Sequence, residues 1–105
     1  MKSTSVVIPE IRRRYFIELN HAIGILPFRL NDELVMGILG SMIHSGITSG
    51  HKAKTVISAC VYLSAKLSNI PVTQKYICDI IEINRIPLVN VVRKFLNFYD
   101  IEIMM

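Results

Sequence analysis

The chain has 105 residues, the length of one ordinary domain rather than two. Hydrophobic residues make up 51% and charged residues 19%, enough to bury a core, which excludes global disorder. Lys and Arg number 12 against 8 Asp and Glu, a formal charge of +4, which favours an acidic partner such as nucleic acid.

Cys60 and Cys78 are the two cysteines. They make neither a disulfide framework nor a C-x-x-C pair, so the expectation is an intracellular domain without metal or cofactor. Met1 to Pro9 carries only the short apolar run Val6 to Ile8, far less than a signal-peptide core. Mean hydropathy is high, at +0.44. The most apolar stretch, Val56 to Leu67, nevertheless contains Ser58, Ser64 and Lys66, and it is shorter than the roughly 20 apolar residues of a spanning helix. It reads as a buried helix, and no membrane partner is expected. Without low-complexity tracts or internal repeats, residues 1–105 read as one domain with its core at about 9–98 and extended or flexible termini.

Five apolar-periodic segments follow one another. From about Pro9 to Ile23, the residues Ile11, Tyr15, Phe16, Leu19 and Ile23 make one helical stripe, ended by Gly24 and Pro27. Asn31 is a good N-cap for a second helix, with Asp32 and Glu33 where the helix dipole favours anions. Leu34, Ile38, Met42 and Ile43 form its expected buried face, and Gly46 closes it. Gly37, Gly40 and Ser41 offer a small surface to a neighbouring helix.

The third segment, about Ala53 to Leu67, is apolar nearly all round, which predicts the central helix of the domain. Pro71 forbids its continuation. Thr73 N-caps a short fourth helix through about Glu82, with Ile77, Ile80 and Ile81 inward. A break at Ile83-Asn84-Arg85-Ile86 precedes Pro87, which suits the first turn of a fifth helix. Leu88, Val91, Val92, Phe95 and Leu96 are its apolar face. Period 3.6 fits every segment better than period 2, so the fold class is all-α: a five-helix bundle around a central buried helix.

The last two helices have the layout of a helix-turn-helix, whose second helix enters the major groove. Arg85, Val89, Asn90, Arg93 and Lys94 are the expected solvent-facing positions near that entry. Asn pairs with adenine, and Arg or Lys with guanine or phosphate. The plainer alternative is an αα-hairpin with a solvated polar face. The turn lacks Gly, a place where Asn84 tolerates a left-handed conformation. Arg12, Arg13 and Arg14 are the densest basic cluster, either phosphate contacts or a solvated helix face. His51-Lys52-Ala53-Lys54, just before the central helix, offers amides and cations to a phosphate, and Lys75 does the same at the fourth helix.

Catalysis finds no support. His21, His44 and His51 lack ligand spacing, Cys60 reads as an inert core residue, and Asp79 raises the thiol pKa of Cys78. Glu18, Asp32, Glu33, Asp79 and Glu82 form no acid/base pair, and no phosphate-binding glycine loop occurs.

The run Ser45-Gly46-Ile47-Thr48-Ser49-Gly50, followed by Thr55 to Leu63 with its Ala59-Cys60-Val61-Tyr62, resembles the second-to-third helix junction of a cyclin-box repeat. The version it resembles is that of transcription initiation factor IIB and its archaeal counterpart. Ile70-Pro71-Val72-Thr73-Gln74-Lys75, with Ile77 and Asp79-Ile80, is similar to the start of the helix-turn-helix in the same repeat. The likeness runs from about Arg13 to Leu96. In that family two five-helix repeats clasp promoter DNA and the TATA-binding protein, while a zinc ribbon and linker engage RNA polymerase. The resemblance implies that Pro87, Leu88, Val89 and Asn90 open a recognition helix, and that Thr73, Gln74 and Lys75 lie near the DNA backbone.

There are departures. The family's second repeat usually has Arg where Val89 stands, and one bidentate Arg–guanine contact is worth roughly 1–3 kcal/mol of discrimination. Ala53 replaces a common Pro, and Pro87 a common Thr. A lone repeat without zinc ribbon and linker leaves three alternatives: a fragment, a reduced paralogue, or an accessory protein.

The expected function is therefore a non-enzymatic, duplex-DNA-binding factor of transcription initiation. Its expected contacts are Thr73, Gln74, Lys75, Arg85, Val89, Asn90, Arg93 and Lys94, with Lys52, Lys54, Arg12, Arg13 and Arg14 as further phosphate candidates. The implied protein partners are the TATA-binding protein, RNA polymerase or a second copy. The implied location is the cytoplasm of an archaeon or of a virus-infected archaeal cell, or a nucleus. The rival is a protein-interaction module or homodimerising adaptor using exposed apolar residues, including Ile101, Ile103, Met104 and Met105.

Overall fold

The computed structural model describes residues 10–103, with side chains from Arg13 onward. The parts expected of Ile11, Arg12, Met104 and Met105 lie outside the described residues. Five helices follow in order: α1 (Glu10–Ile25), α2 (Asp32–Ser45), α3 (Ala53–Leu67), α4 (Gln74–Ile81) and α5 (Arg85–Phe98).

Helix α3 is the axis of the domain. Every residue from Thr55 to Ala65 is buried, and α1, α2, α4 and α5 all pack against it. A helix with no polar face must be covered on all sides, and the two serines inside it solve their own hydrogen bonding. The hydroxyls of Ser58 and Ser64 donate to the carbonyls of Lys54 and Cys60, each at 2.7 Å. Cys60 lies 3.7 Å from the Met42 sulfur of α2, and burial pushes its thiol far above the ordinary range. It is a core residue without nucleophilic character.

Two apolar faces are rotated from their expected positions. In α1 the inward line is Tyr15, Leu19 and Ala22, whereas Phe16 and Ile23 are 38% and 40% exposed. The spacing i, i+4, i+7 selects Ala22, whose small side chain suits an inward position close to a neighbouring helix. In α2, Val35, Ile38, Leu39 and Met42 are buried, while Leu34 and Ile43 are only partly buried against the core. Gly37 and Gly40 do not serve a neighbouring helix: a Cβ added at either would meet nothing within 4 Å.

The ends of α2 match their sequence signals. The Asn31 side chain accepts the Leu34 N–H at 3.1 Å, and Gly46 takes the left-handed φ of 81° that closes the helix. Helix α1 runs through Gly24 to Ile25, since an isolated Gly costs only about 1 kcal/mol against tertiary packing.

After α5 the chain folds back onto the bundle. The Ile101 N–H donates to the Leu96 carbonyl at 2.9 Å, and the Tyr99 hydroxyl donates to the Ser41 carbonyl of α2 at 3.0 Å. Ile101 and Ile103 are partly buried against the core. They are therefore not the free apolar tail that the interaction reading expected.

Candidate nucleic-acid interface

Helices α4 and α5 form a tight helical pair. Thr73 caps α4, its hydroxyl accepting the Tyr76 N–H at 3.1 Å. Helix α4 stops when Glu82 adopts φ 64° and its N–H returns to the Cys78 carbonyl at 2.8 Å. The turn differs from its expected form at two places. The left-handed residue of the turn is Glu82, and Asn84 is extended at φ −76°, ψ 144°. Helix α5 also begins at Arg85, so Arg85 and Ile86 belong to its first turn rather than to the break. Pro87 remains within the first turn, where its missing N–H costs nothing.

Leu88, Val91, Val92, Phe95 and Leu96 face the core as expected. From α4 the core receives Ile77, Cys78 and Ile81, with Ile80 only partly buried. Burial raises the Cys78 thiol, the Asp79 carboxylate adds to this, and Arg85 opposes it.

The opposite side of α5 opens into a hollow lined by Gln74, Arg85, Ile86, Val89, Asn90 and Arg93. Arg85, Asn90 and Arg93 are exposed, and Val89 is half-buried. Gln74, expected as a surface contact, is only 5% exposed. It lies at the start of α4 where that helix meets α5, and its Oε1 accepts the Arg85 Nε–H at 3.4 Å. On its inner side Gln74 neighbours Tyr62, whose buried hydroxyl lacks a hydrogen bond of normal geometry. Burial raises that phenol, and the nearby Gln74 amide partly offsets the effect.

A second hollow adjoins the first through Asn90. It is lined by Gly50, His51, Lys52, Lys54 and Thr55 on the α3 side, and by Glu82, Ile83, Asn84 and Pro87 on the other. A third shares His51, Lys52 and Lys54 with it and adds Arg14, Tyr15, Glu18 and Ala53. The candidate cations Arg14, Lys52, Lys54, Arg85 and Arg93 thus fall along one band of adjoining hollows. Among the described residues, Glu18 and Glu82 are the carboxylates in it.

The remaining candidates sit differently. Lys94 reaches away from Arg93 to His51, its ammonium nitrogen 3.1 Å from Nε2. An ammonium has only donors, so this contact requires Nε2 as the acceptor of a neutral imidazole. Desolvation, then the Lys94 charge, lowers the His51 pKa below its ordinary 6.5. Lys75 pairs with Asp79 at 2.9 Å on the open face of α4, a surface contact worth at most about 1 kcal/mol. Thr73 is exposed at the same helix start, and Arg13 is exposed on α1.

The Lys94–His51 contact joins residues 43 positions apart and leaves no local pattern in the sequence. Thr55 also escaped the sequence reading, because inside an apolar helix it looks like any small core residue.

Among the described residues, no group of three or more His, Cys, Asp and Glu is placed to hold a metal ion. None of their helices is long and apolar enough to cross a membrane.

Five helices with α3 enclosed by the others define a cyclin-type all-α domain of the kind used by transcription factors. The model of the Transcription factor TFIIB repeat family matches residues 35–100, and the chain belongs to that family. The matched span holds α3, α4, α5 and most of the cationic band, leaving Arg14 outside it. No curated protein and no solved structure matches the chain.

Proposed function

We propose that this TFIIB-repeat domain binds double-stranded DNA in transcription initiation, seating the N-terminal half of α5 in the major groove. The supporting observation is the continuous band of Arg14, Lys52, Lys54, Arg85 and Arg93 across adjoining hollows. A helix with its side chains is about 10–12 Å across, and the major groove is about 12 Å wide. Asn90, on the exposed crest of α5, is the base-reading candidate. Arg85 and Arg93 flank it and hold phosphates. Lys52, Lys54 and Arg14 meet the backbone further along. Val89 gives an apolar contact such as a thymine methyl group offers.

Fluorescence anisotropy with a labelled duplex, read across a salt series, tests the proposal. Binding whose logarithm falls linearly with the logarithm of salt is the expected result, because cations on phosphates release counterions. Absence of duplex binding at low salt, at protein concentrations well above about 10 µM, overturns it, since non-specific binders already associate in the range of roughly 1–100 µM.

A second reading, a protein-docking surface on α5, draws on Ile86 and Phe98. They are 75% and 61% exposed, towards the two ends of the helix. Sedimentation separates the two: self-association lost on Ile86→Ser and Phe98→Ser, without duplex affinity, favours docking.

A further inference from the structure

Two of the helices start without a side-chain cap, and both start at the same hollow. Asn31 and Thr73 cap α2 and α4 through side-chain hydrogen bonds. Lys52 and Asn84, at the N-caps of α3 and α5, make none, and neither helix has an acidic residue in its first turn. Lys52 and Asn84 line one hollow together. The orphan N–H groups and positive dipole ends of two helices of 15 and 14 residues therefore converge on one place.

A further observation is independent of the helix ends. Thr55 is only 7% exposed and lines this hollow. The buried serines of α3 turn their hydroxyls back onto carbonyls, but the Thr55 hydroxyl has no hydrogen-bond partner among the described residues. That hydroxyl is not among the fully enclosed unpaired polar atoms, so its remaining opening is onto the hollow it lines, where it is free to donate to a group that enters. Lys52 and Lys54 supply charge at the same rim, and His51 stands beside them. The opposing group is Glu82, a carboxylate on the far wall.

We infer that this hollow is a seat for one phosphate-type oxyanion. The Thr55 hydroxyl and the first N–H groups of α3 and α5 donate to its oxygens, and Lys52 and Lys54 balance its charge. The seat lies beside the major-groove face proposed above and deepens that reading when the oxyanion belongs to a DNA backbone. The same chemistry accepts a free phosphate monoester.

The test is titration of inorganic phosphate into the 15N-labelled protein at constant ionic strength, read as amide shifts. Saturable shifts confined to Lys54, Thr55 and Ile86 are expected. Lys52→Gln with Lys54→Gln weakens the phosphate by about tenfold or more, as loss of two charge-assisted contacts requires. Thr55→Val, a change of shape-preserving kind, weakens it severalfold, and Glu82→Gln strengthens it. Shifts that are absent, that spread evenly to Arg29 and Arg93, or that ignore these variants overturn the inference.

A parallel titration with duplex identifies the source. Displacement of phosphate from the same amides by duplex assigns the seat to the DNA backbone. Saturable phosphate binding that duplex leaves untouched assigns it to a free phosphate, so the seat stands even where the DNA reading fails. Duplex binding that leaves these amides unmoved, together with no phosphate shifts, removes the seat and keeps the DNA reading.

Discussion

Arg85 and Gln74 meet across the α4–α5 turn, the Nε–H of Arg85 donating to the Gln74 Oε1 at 3.4 Å. Gln74 is buried and Arg85 exposed, so an immobile amide holds the base of a mobile guanidinium. The bond uses Nε and leaves the terminal nitrogens, which form the bidentate fork, facing the hollow. On the DNA-binding reading, Gln74 acts by orienting Arg85.

Gln74→Leu therefore lowers duplex affinity by about fivefold, the worth of a hydrogen bond of about 1 kcal/mol, while the salt slope stays unchanged because no charge is lost. Gln74→Glu places a carboxylate against Arg85 and reduces the slope by about 0.9, one phosphate contact. Anisotropy over a salt series measures both. Equal slopes in the Glu variant and the parent would show that Arg85 meets no phosphate.

How much of this was legible beforehand depended on whether the signal was local. The caps Asn31 and Thr73 and the closing Gly46 are each written within a few neighbouring residues and the all-apolar α3 within one unbroken segment, and the structure places them as the sequence indicated. The inward faces of α1 and α2 were less legible. Phe16, Ile23, Leu34 and Ile43 are as apolar as the residues that replaced them inside. The choice among them rests on how each helix rolls against α3, a tertiary matter. The cationic residues were readable as a set, but their arrangement was not. Arg14 joins Lys52 and Lys54, and Lys94 turns to His51, because the packing of α1 and α5 on α3 brings distant segments together.

Arg93 and Lys94 are neighbours in sequence with separate surroundings, since Arg93 lines the hollow with Arg85 and Lys94 contacts His51. If both neutralise phosphates, replacing both by Gln flattens the log–log salt dependence by about 1.8, two contacts at about 0.9 each. Arg93→Gln alone then accounts for half. A single-variant effect as large as the double would place Lys94 outside the interface, engaged only with His51.

His51 sets a pH dependence whose sign is fixed by its surroundings. Desolvation and Lys94 lower its pKa below the ordinary 6.5, so on acidification the unfolded chain takes up this proton first. Stability from this residue is full above about pH 6.5, falls as the pH drops through that value, and levels off below the folded-state pKa. Facing groups are Lys94, Lys52, Lys54 and Arg14 on the cationic side and Glu18 and Glu82 on the other. Thermal melts of the parent and His51→Gln at pH 7.5 and 5.5 check this, a comparison meaningful only as a difference between the two proteins. The parent loses more melting temperature between these pH values than the variant does. An equal loss in both assigns the acid sensitivity elsewhere.

Glu82 holds a left-handed φ of 64° at the end of α4, a conformation that costs a residue bearing a Cβ roughly 1–2 kcal/mol. Glycine adopts it freely but loses more chain entropy on folding, which returns part of that gain. Glu82→Gly therefore stabilises the domain by about 0.5–1 kcal/mol, a rise of a few degrees in melting temperature for a domain of this size. Asn84, the residue that the sequence marked for the left-handed role, is extended. Asn84→Gly accordingly gives no such rise and lowers stability through the added freedom of the unfolded chain. Thermal denaturation of the two variants side by side decides which residue turns the chain. Stabilisation by Asn84→Gly together with destabilisation by Glu82→Gly would move the left-handed position by two residues and lengthen the turn before α5.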